Sequence, residues 1–153
     1  MSVPNKIKIN REEEYYTHYI DRSSDGTQFI ALIGATLPML YPEDWENHKR
    51  WYAILHLFDS KGNHKETKTI FTGCTSDGED EVVEKAREER NKLIAALGNV
   101  TYEDVEVCLF SVEVDGFTFG LVDGSSPEEG IEKIGLLPND LAFFEPWDGE
   151  YDT

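Results

Sequence analysis

Four histidines, two cysteines and a high density of carboxylates are the residues of this chain most able to do chemistry. A metal site or an acid–base pair needs such groups brought together from different segments. His56 and His64 flank a short turn at 59–63 and share a face parity that sets His56 near Glu66 across the hairpin. If the preceding hairpin lies alongside, His18, His56 and Glu66 converge on a His/carboxylate cluster suited to a borderline metal ion. The plainer expectation is that His56 is a hydrogen-bonded histidine on a mainly apolar face, with His48 and His64 facing solvent. That expectation is preferred, so no metal and no cofactor are assigned.

Cys74 lies just before a helix start, where the positive end of the dipole stabilises a thiolate. A cysteine nucleophile also needs a histidine base, and no local motif supplies one. Cys74 is therefore read as an ordinary small residue and Cys108, in mid-strand, as inert core. Glu43, Asp44 and Glu46 beside Trp45 read as a solvated charge run. Glycines 116, 120 and 124 follow hairpin spacing and open no helix, so they form no phosphate loop. Cys-x-x-Cys, His-Glu-x-x-His and Gly-x-Ser-x-Gly are all missing from the sequence, which leans against an enzyme and leaves no catalytic residue to name.

The end of the chain is more unusual. In 136–153, LLPNDLAFFEPWDGEYDT, the apolar residues Leu141, Phe143, Phe144, Trp147 and Tyr151 interleave with Asp140, Glu145, Asp148, Glu150 and Asp152. Chain ends are usually small, polar and frayed. A dense aromatic end implies docking on the body, with Phe143 or Phe144 entering the core. The functional alternative makes Phe144, Trp147, Asp148, Glu150 and Tyr151 a binding patch of aromatic anchors in an acidic rim, suited to a basic protein.

The elements that must position these groups start with 51–58, WYAILHLF. Trp51, Ala53, Leu55 and Leu57 point to one face of an extended chain, and Tyr52, Ile54, His56 and Phe58 to the other. Both faces are apolar apart from His56, so the strand belongs inside a sheet covered on both sides. Residues 15–21 and 27–37 read as a hairpin around Ser-Ser-Asp-Gly, and 64–73 returns beside 51–58, giving an antiparallel meander. Ser76 and Glu79 match a capping box for a helix over about 79–97, with Val82, Val83, Ala86, Leu93, Ile94 and Leu97 as its buried stripe. Arg90 interrupts the stripe and is expected to snorkel outward, Glu81–Lys85 and Glu88–Lys92 to pair, and Gly98 to end the helix. Residues 105–114 and 117–122 form a third hairpin around Asp115-Gly116. The fold class is α+β: six or seven mostly antiparallel strands built from hairpins, with one amphipathic helix packed on one face. Residues 1–153 read as a single domain, with a polar lead-in over 1–14 that includes a short edge strand at 7–9, and a docked segment over 136–153.

Apolar content of 39% excludes a disordered chain. No apolar run or leader pattern calls for a membrane or for export, so the expected location is cytoplasmic. The net charge of −17 is uneven: residues 1–92 carry 13 Lys/Arg against 17 Asp/Glu, and 93–153 carry Lys133 alone against 14 acids. Such a field repels nucleic acid and steers basic partners.

The stretches HYIDRSSDGTQF at 18–29, HKRWYAILHLFDSKGNH at 48–64 and LLPNDLAFFEPWDGEYDT at 136–153 sit with the SDGE-led helix in a familiar pattern. Together they resemble small bacterial proteins, common in actinobacteria, labelled "formate hydrogenlyase regulatory protein HycA". The resemblance implies a cytosolic regulator that acts by protein contact without catalysis, and it carries over no catalytic residue. The expected function is thus a non-enzymatic regulatory or interaction module for a basic partner, an immunity-like inhibitor being one form. A small-molecule-binding protein or enzyme with a site between helix and sheet is the second hypothesis, and a structural homodimer the third.

Overall fold

The computed structural model describes residues 3–9, 20–23, 26–38, 43–98, 100–101, 105–138, 141–144 and 147–149. Its central layer is a five-stranded antiparallel sheet in the order β5-β4-β3-β2-β6, formed by β2 (Ile20–Ser23), β3 (Gln28–Thr36), β4 (Arg50–Phe58), β5 (His64–Cys74) and β6 (Val100–Thr101). The expected meander runs from β2 to β5, with WYAILHLF in its middle. Both faces of β4 are covered, as its double apolar pattern requires. Tyr52, Ile54 and Phe58 join Ile30 and Leu32 in one core, while Leu55 and Leu57 join Phe29 and Ala31 in the other.

The second core is closed by α1 (Glu79–Ala95), which lays Ile94 on it, with Leu93 and Leu97 at the margin. Glu79, Asp80 and Glu81 occupy its first turn and suit the dipole there. The expected Ser76/Glu79 capping box does not form. The chain first makes a 3-10 turn at Thr75–Asp77, in which the Asp77 carboxylate accepts from the Cys74 N–H at 2.9 Å. The helix then starts from Gly78, whose φ of 107° is open to glycine at little steric cost. Arg90 also departs from expectation: it is buried at 8% exposure, in line with Val82, Ala86 and Ile94 at four-residue spacing. The helix's described ion pairs are Glu84–Arg87 and Glu89–Lys92, one turn apart at i,i+3.

The other face of the central sheet is covered by two smaller sheets. One has the order β12-β1-β7, from β1 (Lys6–Ile9), β7 (Val105–Cys108) and β12 (Asp148–Gly149); the other has the order β11-β10-β9-β8, from β8 (Phe110–Val114), β9 (Phe117–Asp123), β10 (Ile134–Leu137) and β11 (Leu141–Phe143). The α+β class and hairpin construction stand, but the strands divide among three sheets instead of forming one. The division falls inside 105–114, expected as one strand. There the Leu109 N–H still follows the β1–β7 register, donating to Asn5 O at 2.9 Å, and Phe110 starts a strand in a different sheet. Cys108 consequently ends a strand, half-buried, with its thiol 3.7 Å from Asn63 Oδ1. β1, expected at an edge, lies in the middle of its sheet and buries Ile7 and Ile9.

Two features hold the layers in register. The Gln28 amide donates to Asp59 O and Glu106 O and accepts from the Glu106 N–H, tying β3 to β7 through a fully buried side chain. At Gly120 β9 approaches β8 so closely that a Cβ would collide with the Phe110 carbonyl oxygen. Asp115 and Gly116 take φ of 52° and 87°, the two left-handed positions of the turn their dipeptide predicts. Among the described residues no helix is long and apolar enough to cross a membrane.

Candidate functional site

The trio His18, His56 and Glu66 is not brought together. His18 lies outside the described residues. The β4–β5 ladder pairs Phe58 with His64 but, after a one-residue bulge, Leu57 with Glu66 and His56 with Thr67. A regular hairpin would have set Glu66 opposite His56. The bulge moves Glu66 to the helix-facing side, where it is exposed. Among the described residues no group of three or more His, Cys, Asp or Glu side chains is placed to hold a metal ion.

What faces His56 instead is a hydroxyl. Thr67 Oγ1 lies 2.8 Å from His56 Nδ1 and 2.8 Å from His64 Nε2, so one hydroxyl joins two imidazoles. His56 is completely buried, and its Nε2 has no hydrogen-bond partner among the described residues. Phe110 stacks on His64 at 4.3 Å and meets His56 edge-on at 4.8 Å, with Phe58 completing the group. Burial, with a smaller push from His64, drives His56 down to about 3. Partial burial also lowers His64, opposed by a backbone hydrogen bond at Glu66. His64 is therefore not the solvent-facing loop residue expected from sequence; His48 is exposed, 3.3 Å from Asp44. The whole group lies on the face of the central sheet away from α1, so a pocket between helix and sheet would not contain His56.

A second polar group pins the Asp115 turn to the central sheet. Tyr52 Oη accepts from Arg50 Nε at 2.8 Å and donates to Asp115 Oδ2 at 2.9 Å, while the Arg50 guanidinium covers the ring of Phe71 at 4.0 Å. Tyr52→Phe is expected to cost about 1 kcal/mol in urea unfolding, the ordinary net value of such bonds; a neutral result would show that the turn holds without them.

The aromatic end is divided. Phe143 is fully buried between the sheets, Phe144 is 39% exposed, and Trp147 is half-buried against the same core. Asp148 stands in β12, in parallel register with Lys8. Glu150 and Tyr151 lie outside the described residues. The row Asp123–Ile134–Phe143 marks one end of the four-stranded sheet, and Phe144 leaves from it. Beyond that row the arm 124–133 continues the hairpin, with Gly124 N–H on Lys133 O and a bridge between Ser126 and Ile131. Asp123, Glu128 and Glu129 are exposed there beside Ile131, which is 37% exposed. Hydrogen bonds from Ser125 hold the Asp123 carboxyl below the usual carboxylate range. Sequence reasoning missed Ile131 and these three acids because 123–130 reads as an ordinary polar loop; the signal was Ile131 itself, a large apolar residue directly after an acidic run.

Fold and surface together define a class: an α+β protein with a helix-backed antiparallel sheet, presenting an acidic sheet end with exposed apolar side chains. No protein-family model matches this chain, and no curated protein or solved structure matches it.

Proposed function

We propose that this protein is a non-enzymatic interaction module that binds a basic protein surface through the acidic end of its four-stranded sheet. One observation carries the reading: exposed Phe144 and Ile131 occur at the same sheet end as Asp123, Glu128 and Glu129. Apolar anchors that exclude water, set among side chains predominantly of one sign of charge, supply affinity and steering together, and Lys133 is the only cation in the 124–133 arm. The charge imbalance of residues 93–153 adds a long-range field of the same sign. The resemblance to HycA-labelled regulators points toward regulation by contact, and inhibition of a basic protein is one form of it.

The test is co-purification with the intact chain, comparing Phe144→Ser, Glu128→Lys/Glu129→Lys and, as a distant control, Phe71→Ser. A partner that binds in a salt-dependent way should be lost with the first two variants and kept with the third. Retention by both patch variants, with unfolding curves unchanged, would remove this surface from consideration. Because Trp147 and β12 are part of the packed body, a truncation after residue 144 would confound folding with binding.

A further inference from the structure

β5 is the longest described strand and forms one edge of the central sheet, with no strand beyond it among the described residues. Such an edge carries a row of backbone N–H and C=O groups able to pair with another chain. Its charged side chains are mixed in sign. Lys65, Glu66 and Lys68 are exposed, and none has an ion-pair partner among the described residues. The surrounding stretch also differs in charge from the rest of the chain. Residues 48–74 hold Lys49, Arg50, Lys61, Lys65 and Lys68 against Asp59 and Glu66, in a chain of net charge −17. Two copies repel each other least where they meet through this side.

We propose that two copies of this chain pair antiparallel through β5, about a twofold axis at Thr67, so that the central sheet runs continuously across a homodimer. Charge complementarity selects both the occupant and the register. With the axis perpendicular to the sheet, opposed residues share a face, so the axis passes at a residue and not between two residues. At Thr67 it sets Glu66 of each copy opposite Lys68 of the other, and both cross-strand pairs are attractive. An axis at Glu66 or at Lys68 would oppose that residue to its own copy, a like-charge pair. An axis at Thr69 would set Lys68 against Ile70, and one at Ile70 would set it against Thr72. Lysines at an edge guard against unspecific pairing; with Glu66 between them, they admit the register that neutralises them.

The fold also bounds the contact. Bulges at Lys65 and at Thr72 break the regular β4–β5 ladder near both ends of β5, which leaves 66–71 as the regular edge. Phe71, exposed at 44%, then comes opposite residue 63, in the turn of the second copy. The other edge of the central sheet is β6, a two-residue strand too short to template a further copy. Association therefore closes at two chains. It uses none of the residues at the acidic end, so it stands or falls separately from partner binding there.

Sedimentation velocity of the full chain over a rising series of concentrations tests this. The expected species is a dimer with twice the mass of the 17.5 kDa chain. Glu66→Lys and Lys68→Glu should each weaken association on the order of tenfold or more, because either one makes both cross-strand pairs repulsive. The double exchange Glu66→Lys/Lys68→Glu restores both attractions and should return the dimer to its wild-type strength. Both positions are exposed, and circular dichroism would verify that each variant keeps the fold. A monomeric wild type, single reversals that leave the dimer unchanged, or a double exchange that fails to restore it would overturn the proposal. A dimer lost instead in Phe144→Ser would place self-association at the acidic end and overturn it as well.

Discussion

Phe143→Ala is expected to cost about 3–5 kcal/mol, the usual range for truncating a fully buried aromatic ring. Phe143 has no exposed surface and shares its core with Ile7, Ile9, Phe119, Leu121 and Ile134, residues drawn from both small sheets. It sits in a three-residue strand paired with β10, and its ring fills space between strands that other ladders already hold in place. For a domain whose whole stability is typically about 5–15 kcal/mol, that loss brings the protein near unfolding at ordinary temperature. Its neighbour supplies the contrast: Phe144 is exposed, and Phe144→Ser should change stability by no more than about 0.5 kcal/mol. Urea unfolding monitored by circular dichroism would read both. A cost below about 1 kcal/mol for Phe143→Ala would show that the end of the chain is not docked, whereas equal large costs for both would mean that Phe144 is structural and cannot serve as an anchor.

The pair Phe143/Phe144 also shows what the sequence could and could not reveal. An aromatic chain end announces docking, but which of two adjacent rings enters depends on β11 meeting β10 in the register Ile134–Phe143, a tertiary choice. The strand 51–58, the helix and the Asp115-Gly116 turn were legible because each is written in local periodicity or in φ preference. The break at Leu109 was also marked, since the apolar positions run 105, 107, 109 and then 110, 112, 114, a one-residue slip of parity where the chain passes from one sheet to another. The histidine cluster failed as a metal site for an equally specific reason. Parity placed His56 and His64 on one face correctly, but a single bulged residue exchanged Glu66 for Thr67 opposite His56. Bulges change the face of everything beyond them, and nothing in HKET marks one.

That exchange gives the fold an acid dependence with a definite sign. His56 is held neutral by burial, down to about 3 from an ordinary value of 6.5. Between those two values the unfolded chain binds a proton at this residue and the folded chain does not. Stability contributed by this site is therefore full above about 6.5, declines as pH falls, and levels off below about 3. The slope for one such group approaches ~1.4 kcal/mol per pH unit, or on the order of 5 kcal/mol over the whole window. His64 is lowered by partial burial and acts in the same direction. Asp44, Asp59 and Asp123 have depressed values too, but they lose their contribution only below the ordinary carboxylate range. The interval from about pH 6.5 to about pH 5 thus reports the histidines, before relief of the chain's acidic self-repulsion sets in. Urea unfolding at a series of pH values should show wild-type stability falling across that interval, and His56→Phe should flatten most of the slope whatever its absolute stability. Parallel curves for the two proteins would mean that His56 reaches solvent readily in the fold, and the seam closed by Phe110 would then have to open on the timescale of protonation.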